Sequence, residues 1–438
     1  MFKLNSMDIK SLAFRAIFVV ANIFSVNAYS QEANDSNILQ EFDDIIGEIS
    51  SSSSDRKIEE VKVVKSNLTR KVIESYLDKQ RDKQEPIKIT QDLGTNLSGL
   101  DLSGLDFSNA QLLRANFANS VLTDCNFKNA YLEESDFRNA KAERVIFDEA
   151  SLAVANFSKA ELKKASFNSV YAEEAKFYKA NLVEAIGNKA NFKGTDFEEA
   201  TLNHADFSYS DFTASDFSNS KAFEAKFKYA TLSNIHLKNA DWQKTNLYSA
   251  DLSNTKINNT NLSNSVLFFV NFQRSNILKS NLTKIYGEAA DFSNSIILES
   301  KFSKSNLEDT IFKNASLVKS NFTKSVLNNA DFGGSNLTAI NLSDSILTNA
   351  KLNNTILKDA IINSTYMKKV DLSFSNLSGA RIYSSNLDLA ILNGIKVDGL
   401  KITNTSMQNV KGLSNQNAEA ILTNSQPAPQ AAGKVPAS

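Results

Sequence analysis

The sequence is poor in most of what folds use to fix themselves or to do chemistry. One cysteine, Cys125, stands among 438 residues, so no internal disulfide can form and a cysteine-based metal site is excluded. The two histidines, His204 and His236, fall short of the roughly three or four ligands that a zinc site needs. A single tryptophan, four prolines and fourteen glycines are few for a chain that has to turn often. No apolar run reaches the roughly 20 residues that span a bilayer. An excess of one charge is missing as well. Basic residues number 48 and acidic ones 49, a net charge of −1, which gives no overall field to draw in nucleic acid or a membrane surface. Phosphate-cradling glycine loops and the nucleophile elbow do not occur. Without a convergent set of acid, base and nucleophile, the chain reads as a non-enzyme with no cofactor and no metal.

The first 30 residues have the pattern of an export signal. Lys3, Lys10 and Arg15 precede the apolar run 16–26, and small residues then allow cleavage after Ala28 or Ser30. The apolar core is only 11 residues and contains Asn22, short for a membrane span. The expected location is therefore outside the cytoplasm, periplasmic or extracellular, with no span left after cleavage. The alternative is retention at the membrane by an uncleaved N-terminal segment. Residues 31–92 follow a different pattern. Asp43, Asp44, Glu48 and the serine run 50–54 read as an acidic linker. Over 57–83 the spacing of Val61, Val64, Leu68, Val72 and Tyr76 predicts an amphipathic helix with those residues on its inner face. Pro86 ends it.

From Leu97 the chain locks into a period of five. The centres Leu97, Leu102, Phe107, Leu112 and Phe117 continue without a slip to Met407, sixty-three pentads in all. Two places before each centre is a small residue, such as Ala110, Ala115 or Cys125, and between them usually Asp or Asn, such as Asp106, Asn116 or Asn126. A period of five suits neither a helix nor a strand. It is satisfied by a coil of four short sides, one pentad to a side, with Phe or Leu pointing to the axis and the small residue filling the corner. Asp and Asn suit the turns because their side chains accept bonds from nearby backbone amides. Coils stacked at about 4.8 Å each would make a stack on the order of 75 Å long.

This run, about 310 of the 438 residues, resembles the pentapeptide-repeat family. The resemblance implies an all-β fold, a right-handed quadrilateral β-helix over residues 93–412, with short flanking helices. It also implies a closing helix at 413–424, for which Gly412 supplies a turn and Ser414 a cap, followed by a disordered tail, 425–438, containing Pro427, Pro429 and Pro436. Bare sheet ends invite pairing with other chains, so both helices read first as end caps. Some members of that family inhibit or protect bacterial gyrase by resembling duplex DNA in shape and negative charge, which defines a rival function. Here residues 96–255 carry 22 acidic and 17 basic residues, and residues 256–410 carry 11 and 16. That balance is wrong for a surface meant to fill a basic groove.

One face stands out when residues 20 apart are grouped together. On the side of Phe107, Phe127 and Phe147, the usual Asp or Asn gives way to Ile146, Ile186, Val266, Tyr286, Val326, Ile346 and Tyr366. Just past the same centres come Tyr209, Tyr229, Tyr248, Phe268 and Phe269. Such a strip marks a candidate contact with another protein, a second copy of the chain included. Two centres on this side are Gly187 and Gly287, and their missing side chains leave room for Ile186 or Tyr286 to turn inward.

Overall fold

The structure, a computed structural model, describes residues 68–425. The export signal, the acidic linker, the first part of the 57–83 helix and the tail beyond residue 425 lie outside the described residues. Helix α1 (Arg70–Asp82) buries Ile73 and Leu77, whereas Val72 is 43% exposed. Leu68 and Tyr76 pack against the rim of the core, so the inner face is centred on Ile73 and Leu77 and, of the expected residues described, only Val72 falls outside it. Tyr76 explains this centring, because its hydroxyl is held at the edge of the packed surface. It donates to Asp92 Oδ2 at 2.5 Å and accepts from the Lys88 N–H at 3.0 Å. Burial, followed by the bond to Asp92, pushes the phenol up to about 12. A single turn, α2 (Ile89–Asp92), follows. Ile87 and Ile89 are buried beside it, and the Ile87 carbonyl accepts the Gln111 N–H at 2.7 Å. The end of the sheet is thereby paired instead of bare.

Beyond this cap the chain is a parallel β-solenoid. The residue before each centre pairs with the residue twenty further on, from Asn96↔Asn116 to Ile391↔Lys411, always parallel and in one register. Most sides end in a turn in which the centre's carbonyl accepts the N–H three residues on, as Phe107 does from Ala110 at 3.1 Å. The residue before that donor has positive φ, 59° at Asn109, and this recurs at nearly every corner. Asn and Gly adopt that conformation at least cost. The Asp or Asn of the motif acts as expected: Asp101 Oδ1 accepts the Ser103 N–H at 3.0 Å. Asparagines also bond up the stack, as Asn126 Nδ2 does to Asp106 Oδ1 at 2.9 Å.

Seven sides depart from this pattern and form three-residue strands. They are β1 (His236–Lys238), β2 (Lys256–Asn258), β3 (Asn276–Leu278) and β4 (Ile296–Leu298) in one sheet, and β5 (Ile361–Asn363), β6 (Arg381–Tyr383) and β7 (Lys401–Thr403) in another. Six of the seven have isoleucine at the centre, and isoleucine is the centre of no other pentad. A β-branched centre favours extended backbone. The turn's own hydrogen bond is then replaced by a hydroxyl from the next coil. The Ser280 N–H donates to Ser300 Oγ at 3.1 Å, and Ser300 Oγ donates to the Ile277 carbonyl at 3.0 Å. The small inward position therefore supplies hydrogen bonds as well as space.

The axis is packed with aromatic stacks. Phe117, Phe137, Phe157 and Phe177 stack with centroids 4.5–5.0 Å apart, and each meets the neighbouring Phe column edge-on. Trp242 closes this segment, 4.8 Å above Phe227, with its indole N–H on Ser220 Oγ. The two glycine centres are filled differently from the sequence expectation. Ile186 and Tyr286 stay outside, 45% and 53% exposed. The space beside Gly187 is taken by Phe207, whose ring lies 2.5 Å from where a Cβ would sit, and that beside Gly287 by Leu307 at 3.0 Å. Neighbouring core side chains reach the gap along the axis, whereas a ladder side chain points away from it. At the far end α3 (Asn415–Ser425) follows Gly412, whose φ is 73°. Ser414 Oγ accepts the Asn417 N–H at 3.2 Å, and Ile421 is buried against the last coils.

Two substitutions probe this packing. Phe157→Ala removes a ring stacked on both sides and is expected to cost about 3–5 kcal/mol in chemical denaturation, while Phe157→Leu costs far less. Gly187→Ala drives a methyl into the Phe207 ring and is expected to destabilise by about 1–3 kcal/mol. Gly287→Ala, with a looser contact, should shift the same denaturation midpoint less.

Candidate functional site

Among the described residues no group of His, Cys, Asp or Glu is arranged to hold a metal. His204 and His236 are exposed on different sides, beside Glu224 at 3.5 Å and Asp216 at 3.9 Å. Cys125 is buried at the small inward position, and its Sγ donates to the Leu102 carbonyl at 3.0 Å. Burial pushes its thiol up to about 12, which makes it a packing residue instead of a nucleophile. No described helix is long and apolar enough to cross a membrane.

What the coil does assemble is a surface. Stacking brings the aromatics after the centres into one continuous edge. Tyr209 and Tyr229 stack at 4.9 Å, Tyr229 meets Tyr248 edge-on at 5.4 Å, and Tyr248 meets Phe269 at 5.8 Å. Phe268 lies between Tyr248 and Tyr286, at 6.5 and 6.4 Å. Neighbouring rings hold water from the Tyr229 hydroxyl and raise its pKa above the ordinary tyrosine value, with Tyr248 and Tyr209 adding to the effect. Tyr209, Tyr229 and Phe269 occupy positive-φ corners at 66°, 57° and 59°. Asn or Gly would serve the turn better, so the turn itself is no reason to have aromatics there. Tyr209 and Phe269 are each 57% exposed.

The floor beside this edge is less continuous. Val266 pairs directly with Tyr286, and Val326 with Ile346 and then Tyr366, but Asn306 interrupts the two groups. Ile146 and Ile186 stand apart, separated from each other by Ser166 and from Val266 by Asp206, Lys226 and Asn246. Exposed apolar residues also occur on other sides, as at Tyr131, Ile296 and Phe374, without forming a comparable run of ring contacts among the described residues.

The opposite edge of the same face carries a feature that the sequence grouping overlooked. Lys284, Lys304 and Lys324 occupy one corner on successive coils and line a shallow trough of about 660 Å³ with Tyr286, Asn306 and Val326. The signal was present as a spacing of twenty, but only corners adjoining the apolar side reveal it. Lower on this corner acidic and basic residues are mixed and pair within the chain, Arg144 with Asp124 at 2.7 Å and Lys244 with Glu224 at 3.0 Å. The face is thus bordered by aromatics on one side and ammonium groups on the other.

A family model described as a pentapeptide repeat region matches residues 120–194 and 287–362. A second, described as pentapeptide repeats (8 copies), matches 94–129, 188–219, 225–264 and 245–283. The chain belongs to the pentapeptide-repeat family. No curated protein matches this pentapeptide-repeat chain. Similar solved structures include HetL from the cyanobacterium Nostoc sp., a pentapeptide repeat protein involved in heterocyst differentiation regulation. It is 20% identical over 52% of this chain and 88% of HetL, with a TM-score of 0.28. Rfr23 from the cyanobacterium Cyanothece is 23% identical over 27% of this chain and 88% of its own, with a TM-score of 0.23. QnrB1, a plasmid-mediated fluoroquinolone resistance protein, is 18% identical over 53% of this chain and 92% of its own, with a TM-score of 0.22.

The buried, weakly acidic thiol makes a direct prediction. Cys125 should resist maleimide labelling in the folded protein and label fully in denaturant, as read by intact mass. Labelling of the native protein at the rate of a free thiol would refute its placement.

Proposed function

We propose that the protein is an exported, non-catalytic scaffold that uses its aromatic-edged face to bind another protein. The observation that carries this reading is the unbroken run of ring contacts from Tyr209 to Tyr286. Exposed aromatic rings on a rigid framework lose little side-chain freedom on binding and are favoured as anchors in protein interfaces. A solenoid suits the role because each coil is held by its neighbours, so the face is presented already ordered. The export reading rests on the basic, apolar and small-residue succession over residues 1–30.

DNA mimicry of the gyrase-regulating kind fits less well. A mimic needs a continuous negative surface, and this corner column runs through Lys284, Lys304 and Lys324. Export would also separate the protein from a cytoplasmic DNA enzyme.

Two measurements on producing cells test the proposal. Fractionation with mass spectrometry of the N-terminus should find the protein outside the cytoplasm and beginning at Tyr29 or Gln31. An intact Met1 in the cytosol would remove the export reading. A photo-crosslinking residue in place of Tyr229 should capture a protein that the same group in place of Asn354, on another side, does not. Equal capture from both positions would remove the binding face.

A further inference from the structure

The two edges of the aromatic-bordered face are matched in charge. Climbing the stack, the positive-φ residue of the corner before the face and a charged residue at one of the two outer positions of the corner after it are Asp124 and Lys128, Arg144 and Asp148, Glu184 and Lys189. Higher up come Glu224 and Lys228, Lys284 and Glu288, Lys304 and Glu308. In each of these six coils the positive-φ residue of the leading corner is opposite in sign to its counterpart, and the one like charge at the neighbouring position, Glu143 against Asp148, is paired with Arg144 at 3.0 Å. The other three sides lack this order: Lys164 lies across a side from Lys159, Lys193 from Lys189, and Arg274 from Lys279. Opposite edges of one face are too far apart to form ion pairs within a coil. They are well placed to pair between two coils set face to face.

We propose that the partner for this face is a second copy of the chain, packed face to face and parallel about a two-fold axis along the stack. This rests on the reading of the face as a protein-binding surface. Such an axis lays the leading corner of one copy against the trailing corner of the other at the same height, an isologous contact. Lys284 then meets Glu288 of the second copy, and Lys304 meets Glu308. The interrupted apolar floor meets itself, Tyr286 against Tyr286, and Lys244 comes over the aromatic edge at Tyr248. An antiparallel arrangement would instead set the lysine edge against the lysine edge. Lys284 and Lys304 have no ion-pair partner in their own chain among the described residues, unlike Arg144 and Lys244 on the same corner. Three ammonium groups stacked at about 4.8 Å repel one another, and the acidic edge of a second copy relieves that repulsion.

Sedimentation equilibrium of the purified protein should show a dimer that dissociates as salt rises. The double variant Lys284→Glu/Lys304→Glu and its counterpart Glu288→Lys/Glu308→Lys should each dissociate at least about a hundredfold more readily. These side chains lie on the surface, and unchanged circular dichroism melts would show that folding is intact. Mixed together, the two variants carry only acidic and only basic side chains at these four positions and should form a one-to-one heterodimer. Orientation is read with a bis-maleimide spanning two like positions. Asn246→Cys and Asn306→Cys, three coils apart, should both link to their own copies in the parallel dimer. A monomer at every concentration, a mixture that does not reassociate, or linkage at only one of the two positions would overturn the proposal. A monomeric protein that still captures a different partner through position 229 would sink self-pairing while leaving the binding face in place.

Discussion

The structure depends on a pair of backbone hydrogen bonds repeated around and up the coil. The Phe107 N–H reaches the Asn126 carbonyl at 2.6 Å, and the Asn126 N–H returns to the Leu105 carbonyl at 3.0 Å. The corner N–H adds a third bond to the next coil, as Asn109 does to the Lys128 carbonyl at 2.9 Å, so the register is unforgiving. A shift of a single residue would turn every Phe and Leu away from the axis. The requirement that residues twenty apart lie in line fixes the aromatic stacks, the asparagine ladders and the surface columns together. Face and core are thus consequences of the same register.

That dependence explains why so much was legible in the sequence. The phase of the centres located every side of the coil from Leu97 to Met407, and the small and acidic positions fell where corners and turns require them. Isoleucine centres offered a further signal that went unread, since Ile257, Ile277, Ile297, Ile362, Ile382 and Ile402 mark the extended sides among the described residues. What the pattern could not supply was competition between neighbours. Val72 fits a helical face as well as Ile73 does, and the choice was made by Tyr76, whose hydroxyl answers to Asp92 and Lys88 outside the helix. At Gly187 the vacancy was visible, but its occupant was decided along the axis, where Phe207 lies closer than the outward-pointing Ile186.

The surface was partly legible for a similar reason. Grouping by twenties joined Tyr209, Tyr229, Tyr248, Phe268, Phe269 and Tyr286, which the structure brings into contact. It also joined Ile186 to them, although three polar ladder residues intervene. The lysine corner lies two positions before the ladder column that looked unusual. It gains meaning only when two edges of one side are seen together, a relation between columns that no single spacing displays.

The uninterrupted register has a consequence for how such a chain can change length. Because a full circuit is four pentads, adding or deleting twenty residues leaves every column above the change over the same column below it. Adding five instead would turn all that follows by a quarter, and the aromatic edge would break between one side and the next. The core columns would be offset in the same way, since the phenylalanine stacks also join residues twenty apart. The length of the edge is therefore a variable that insertion or removal of twenty residues can adjust without breaking it.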